Sequence, residues 1–256
     1  MNSIDDLKNA VDLNNIAIIL VSSRVSENIG ATARAMKNFG LSNLRLVAPR
    51  GYNKEKAYRM ARKGSDILDA MVVVPSINEA VSDLVLIGAT TARQGDTRSS
   101  LIHTPSSGAQ KLIKGTCRGK VGLMFGPEEG GLETRDLDVS SVNITIPTNP
   151  GFSSLNLSQA VLLTCYELFK ACETAPTINL KTQKEISPAT AGEKEAFFAQ
   201  SREFLLDAGF LNKQNPDAVL LHLRKLLERA KPTSKEVTIL RGIIRQTKWY
   251  AENNDT

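Results

Sequence analysis

The chain of 256 residues is poor in the side chains that build metal and disulfide sites: two histidines, His103 and His222, and three cysteines, Cys117, Cys165 and Cys172. The cysteines are odd in number and form no C-x-x-C pair, which argues against a disulfide framework and favours a reducing compartment. No His/Cys/Asp spacing suits zinc, so a protein without metal is expected. No apolar run approaches the roughly 18 residues of a membrane helix. The opening stretch MNSIDDLKNAVDLNN carries acids and no apolar core of a secretory signal. A cytoplasmic protein off the membrane is expected. Two nucleotide motifs are also missing. No G-x-G-x-x-G follows the first apolar run and no G-x-x-x-x-G-K-[ST] occurs, which removes the usual dinucleotide and P-loop readings.

What is present is enough for a core. Hydrophobic residues make up 41% and charged residues 23%, with a net charge of +5, a mild balance that suits a polyanionic partner without requiring one. Short apolar runs at 16–22, 44–48, 71–75, 84–89, 121–126 and 142–147 read as strands. Most are continuous rather than alternating, as in strands covered on both faces of a parallel sheet. Helical patterns fall between them at 27–39, 54–63, 76–82, 105–114, 131–138 and 155–172, giving an α/β layered domain. After Cys172 the stretch ETAPTINLKTQKEISPAT lacks periodicity and reads as a linker. Helical patterns alone follow, at 193–208, 216–230 and 234–251.

Three clusters bear chemistry. SENIGATARAMKNFG (26–40) follows the first strand. Ser26 is the expected N-cap, and Gly30, Arg34 and Lys37 fall on one helix face. That face is either a solvated basic surface or an anion site; Gly30 in a first turn is explained if another backbone or a phosphate comes close. GPEEGGL (126–132) ends the fifth run, at the sheet edge where α/β proteins bind ligands. Its glycines allow tight turns or close approach, and Glu128 can accept hydrogen bonds from a ligand or an arginine. GATTARQGD (88–96) is similar, with small hydroxyls and then Arg93. NPGFSSLNLSQAV (149–161) leads into a helix apolar nearly all round, expected to be buried. Ser153, Ser154, Asn156 and Ser158 then need partners from their own helix, from other loops or from a ligand. In the last helical pattern, Arg241, Arg245 and Lys248 recur at i, i+4, i+7, followed by Trp249 and Tyr250; this is either a solvated face or a phosphate-contacting arm.

In this order and spacing, the clusters resemble the SpoU/TrmH family of RNA ribose 2′-O-methyltransferases. ENIGATARAMKNFGL looks like its first motif, LMFGPEEGGL its second and IPTNPGFSSLNLSQAVLLTCYEL its third, over about residues 14–173. The PGFSSLNLSQA form and the helical extension look most like the branch that methylates nucleotide 32 of the tRNA anticodon loop; another tRNA position, ribosomal RNA or a non-catalytic RNA-binding role are the alternatives. The resemblance implies a SPOUT-type α/β fold, its parallel sheet ending in a trefoil knot, over 1–173. A linker (174–192) and a helical extension for tRNA binding and dimer support (193–256) would follow. It implies S-adenosylmethionine held by Thr90, Thr91, Ala92, Gly126, Ile146, Ser153, Ser154 and Leu155. It also implies a homodimer in which Arg34 of one subunit faces the methyl-donor pocket of the other. Arg34 and Ser154 would act on the ribose hydroxyl, with Asn28, Glu128 and Asn156 lining the site. Arg34, Lys37, Arg93, Arg241, Arg245 and Lys248 would meet RNA.

Overall fold

The computed structural model describes residues 12–92, 102–175, 187–212 and 214–254. The chain divides into two compact units, Met1–Gln183 and Lys184–Thr256. The first is built on strands β1 (Ile16–Val21), β2 (Asn43–Val47), β3 (Val72–Val74), β4 (Leu86–Thr90), β5 (Ile102–His103), β6 (Val121–Phe125) and β7 (Val142–Ile144). They form one sheet in the order β3-β2-β1-β6-β4-β7-β5, and every neighbouring pair is parallel. All six residues of β1 are buried, as a strand covered on both faces requires.

Helices α1 (Ser26–Asn38), α2 (Lys54–Ala61), α3 (Ser65–Ala70), α4 (Ile77–Val81), α5 (Pro105–Thr116), α6 (Thr134–Leu137) and α7 (Leu157–Glu173) connect or follow the strands. α7 packs against both α1 and α5. The core unites Ile18 and Leu20 of β1 with Ile29 and Met36 of α1, Leu112 of α5, Phe125 of β6, and Val161, Cys165 and Leu168 of α7. Each such side chain contributes about 1.5–3 kcal/mol by leaving water. Burial pushes the Cys165 thiol up to about 12, so it stays protonated and serves as packing.

Two glycines set the position of α1. A Cβ on Gly30 would stand 2.0 Å from the carbonyl oxygen of Ala57 in α2, and one on Gly64 would stand 2.9 Å from the carbonyl oxygen of Ala33. The close neighbour at Gly30 is therefore backbone, which accounts for a glycine in that turn. Between α2 and Gly64 lies Arg62, with φ +53° and ψ −120°, a conformation natural to glycine and costly for arginine.

Several boundaries differ from expectation. Ser26 is the first helical residue and Val25 the N-cap; the Ser26 hydroxyl instead accepts from the Asn53 N–H at 2.8 Å. The 131–138 helix shrinks to Thr134–Leu137 because Gly130 and Gly131 turn at φ +82° and +65°. β7 stops at Ile144 rather than 147; the Thr145 N–H makes the last ladder bond to β5, donating to His103 O, and its hydroxyl donates to the Thr91 carbonyl, both at 2.9 Å. β5 and α3 were not anticipated. Nor is α7 buried all round: Leu162, Leu163 and Tyr166 are 41%, 42% and 45% exposed.

The second unit holds α8 (Ala191–Asp207), α9 (Asp217–Ala230) and α10 (Ser234–Asn254). α8 opens on a capping box in which Thr190 and Glu193 satisfy each other's backbone N–H. The starts of α8 and α10 are tied by Ala189 N–H to Pro232 O and Ser234 N–H to Ser187 O. Arg224 of α9 grips Glu195 of α8 with two bonds of 2.6 and 2.8 Å and lies over the Phe198 ring. Among the described residues no helix is long and apolar enough to cross a membrane.

Gly30→Ala should destabilise the first unit by about 1–3 kcal/mol, because a methyl cannot displace backbone as it can a side chain. A lower urea midpoint for the full-length variant is the expected measurement; an unchanged midpoint would contradict the close α1–α2 approach.

Candidate active site

In the sheet, β4 lies between β6 and β7, and β1 lies beside β6. Because all four run parallel, the segments after them emerge at one edge. These are Ser22–Val25 after β1, Thr91–Ala92 after β4, Gly126–Leu132 after β6, and Thr145–Asn156 after β7. That edge, where strand order reverses, is where open α/β sheets bind ligands.

The segments are tied to one another. The Thr90 hydroxyl donates to Met124 O at 3.2 Å, and the Thr91 N–H to Ile144 O at 2.9 Å. Gly126 lets its own loop fold back, since a Cβ there would stand 2.2 Å from the Leu132 nitrogen. The long loop after β7 closes on itself through Thr148 Oγ1 to Ser153 O at 3.3 Å and an Asn149 side-chain turn onto the Gly151 N–H.

The centre of these ties is the Glu128 carboxylate. Its Oε1 accepts from Ser23 Oγ at 2.9 Å, Asn28 Nδ2 at 3.0 Å and Val25 N–H at 3.3 Å; its Oε2 accepts from Arg24 N–H at 3.0 Å. The charge stands at the N-terminus of α1, where the helix dipole favours an anion. Burial pushes the Glu128 carboxyl up, but the bonds from Asn28, Arg24 N–H and Ser23 outweigh it and hold the group below the usual carboxylate range. Glu129 next door is exposed and, among the described residues, pairs only with exposed Arg24 at 3.4 Å, a contact of little energetic weight.

The chain of bonds continues. Asn28, which is buried, gives its amide N–H to Glu128 and so presents Oδ1 to Asn156 Nδ2 at 3.0 Å. Asn156 then has Oδ1 left to cap α7, accepting from Ser158 N–H at 2.9 Å and Ser158 Oγ at 2.7 Å. One carboxylate thus orients two amides in series and joins the N-termini of α1 and α7. The question raised by the polar mouth of α7 has a double answer: Asn156 caps its own helix and also reaches another loop.

The structure therefore brings together Asn28, Glu128 and Asn156 and satisfies them with one another. Arg34 and Ser154 stand outside that network and are exposed. Of the expected donor-binding residues, Thr90, Thr91, Gly126, Ile146 and Leu155 are half-buried and Ala92, Ser153 and Ser154 exposed, all at the same sheet edge. Ser23 was missed; its only signal is a small hydroxyl between a buried strand and a helix. Of the expected RNA contacts, Lys37 pairs with Asp66 at 2.5 Å on the surface, and Arg93 lies outside the described residues. The α10 stripe is largely committed elsewhere. Lys248 bridges to Glu203 at 2.7 Å and Asp207 at 3.4 Å, and Arg241 Nε donates to Gln200 at 3.3 Å, so that face holds α10 on α8. Arg245 is exposed. Among the described residues no group of three His, Cys, Asp or Glu side chains gathers as a metal site.

Comparison with known proteins gives a consistent neighbourhood. A profile of the SpoU rRNA Methylase family matches residues 15–166, and one of the C-terminal domain of the tRNA methyltransferase TrmJ matches residues 192–256. The chain is 35% identical over 246 residues to the tRNA (cytidine/uridine/adenosine-2′-O-)-methyltransferase TrmJ of Pseudomonas aeruginosa, covering 93% of this chain and 96% of that one. It is 32% identical to the tRNA (cytidine/uridine-2′-O-)-methyltransferase TrmJ of Photorhabdus laumondii, over 94% and 99% of the two chains. The crystal structure of TrmJ from Z. mobilis ZM4 superposes with a TM-score of 0.77 at 38% identity, covering 91% of this chain and 98% of that one.

Glu128→Gln should cost about 1–3 kcal/mol at about pH 7, since an amide brings two donors among four. The folded-state pKa of Glu128 is lowered, so its stabilisation is complete above the unfolded value and is lost as pH falls through the folded one. Denaturation midpoints of wild type and variant should converge on acidification; a gap that stays constant would remove the charge from the account.

Proposed function

The chain belongs to the SpoU methylase family, and on that premise we propose that it methylates the ribose 2′-hydroxyl of a tRNA with S-adenosylmethionine as donor, at the cytidine or uridine in position 32 of the anticodon loop. The observation that carries this reading is the meeting of three distant motifs through Glu128, Asn28 and Asn156 at the sheet edge. In the same reading the segment from Thr145 to Asn156 threads the trefoil knot, and the protein works in the cytoplasm, where tRNA is found.

The residues suit the donor. The half-buried apolar side chains of Ile146 and Leu155 and the bare backbone of Gly126 share one edge with the hydroxyls of Thr91, Ser153 and Ser154. That combines apolar surface for a purine with small hydrogen-bonding groups for a ribose and an amino acid. When bound, the donor supplies an electrophilic methyl group on a sulfonium. The chain supplies position and charge. Methyl transfer needs reacting atoms about 3–3.5 Å apart and aligned, and the Glu128–Asn28–Asn156 series serves this by locking the loops. These three are positioning residues. Arg34 offers a fork of N–H donors and no acceptor. It therefore clamps the phosphate beside the target and stabilises the alkoxide that develops, rather than taking the proton. Ser154, which is exposed, orients the hydroxyl and passes its proton on to solvent water.

In the same reading the chain works as a homodimer, and α7 supports it. Its inner face is core, while Leu162, Leu163 and Tyr166 meet solvent. Tyr166 also touches Phe39, just past the end of α1, at 5.9 Å between ring centres. A second copy covering this strip would sit against the helix that carries Arg34, as a self-complementary interface allows. The helical extension aids tRNA binding.

Incubating the full chain with S-adenosylmethionine and transcribed tRNA, then analysing nucleosides, should give one 2′-O-methylpyrimidine, at position 32. Methyl transfer at no tRNA position would end the reading. Arg34→Lys keeps the charge and loses the two-pronged fork, so turnover should fall roughly 10–100-fold; near-normal turnover would defeat the clamp. Leu163→Asp should give a monomer by light scattering that transfers no methyl group, and an active monomer would remove the shared site.

A further inference from the structure

Between Arg50 and Lys63 the chain carries six Lys/Arg and one acid, Glu55. Few of these charges are spent. Lys56 reaches Glu27 at 3.5 Å on the surface, Lys54 lies over the Tyr58 ring, and Arg59 feels Glu27 only at longer range. Arg50, Arg62 and Lys63 have no side-chain partner among the described residues. On α2, Ala57 and Ala61 face inward and are buried, which leaves Arg59 exposed along with Arg62 and Lys63 just beyond the helix.

This strip lies along both ends of the stretch that carries Arg34. A Cβ on Gly64 would stand 3.1 Å from the Arg34 Cα, so the Arg62–Gly64 turn rests on that part of α1. At the other end the Arg50 N–H donates to Ser23 O at 2.9 Å, beside the Glu128 network. Arg62 is the telling residue. It holds a backbone conformation at φ +53°, ψ −120° that glycine would adopt without strain, and among the described residues its side chain has no hydrogen bond or ion pair that offsets this. Non-glycine residues kept in such conformations tend to sit where the side chain has a task.

We propose that Arg62, with Arg59, Lys63 and Arg50, forms a phosphate-binding strip that holds the RNA backbone beside Arg34. The inference rests on the reading of the substrate as tRNA and adds where the first unit grips it. Guanidinium forks match phosphate oxygens in pairs, and contacts of this kind position a nucleic acid without reading its sequence.

The test is filter binding of one unmodified tRNA transcript over a range of salt, with full-length wild type, Arg62→Gly and the Arg59→Ala/Lys63→Ala double variant. Each lost phosphate contact should lower the slope of log K against log salt by about 0.7–0.9. Arg62→Gly should thus weaken binding roughly tenfold while its melting temperature stays equal or rises, because glycine relaxes the turn. Affinity for S-adenosylmethionine should be unchanged in both. Wild-type affinity and slope in both variants would overturn the strip, as would parallel loss of S-adenosylmethionine affinity. Methyl transfer by the wild type to the same transcript is scored separately. Reduced slopes with no transfer would keep the strip and sink the enzymatic reading.

Discussion

A carboxylate taken partly out of water needs donors, and the entrance of a helix has N–H groups that need an acceptor. Glu128 and the β1–α1 turn meet each other's requirement: the N–H groups of Arg24 and Val25, the Ser23 hydroxyl and the Asn28 amide all point at one side chain 100 to 105 residues away in the chain. The rest of the site depends on this. An anion can only accept, so Asn28 must turn its N–H inward and its oxygen outward. Asn156 must then donate to Asn28, which leaves its own oxygen for α7. The polarity of one group fixes two amide orientations and the relation of two helices.

Strand order decides which loops can share this arrangement. With β4 between β6 and β7 and β1 next to β6, four segments emerge side by side although they are scattered along the sequence. Threonine hydroxyls and backbone bonds then stitch them: Thr90 to Met124, Thr145 to Thr91, Thr91 to Ile144. Small hydroxyls suit the task because they bond to neighbouring carbonyls without filling the edge. α7 carries the arrangement outward, with one face in the core and the opposite face bearing Leu162, Leu163 and Tyr166 to solvent.

Much of the sheet was legible because its strands are covered on both faces, so β1, β4 and β6 show as apolar runs, and β2 as one interrupted by Arg45. β5 has only two residues, Ile102 and His103, too few for any period, and exists because β7 lies beside it. α3 has six residues and follows the unusual turn at Arg62. In the site, Glu128 and Asn156 stood out by their glycine-rich and apolar surroundings, but half of the Glu128 donors are backbone N–H groups and carry no side-chain signature. That the three segments meet came from family resemblance, since spacing alone cannot bring residues 28, 128 and 156 together. The Arg241–Lys248 spacing correctly defined one helix face. Glu203 and Asp207 of α8 determine what that face meets, and nothing local to α10 reveals them. α7 misled for the converse reason: leucine and tyrosine pointing at water look, in sequence, like leucine and tyrosine pointing inward.

The clasp on α1 by Gly30 and Gly64 has a mechanical meaning. Where helices meet through side chains, rotamer hops let them drift by fractions of an ångström. Here peptide groups abut directly, and they have no rotamers to exchange. The helix is held like a rail in a machined slot, so the searching motion available to Arg34 is confined to its own side-chain torsions, swung from a mount that does not give.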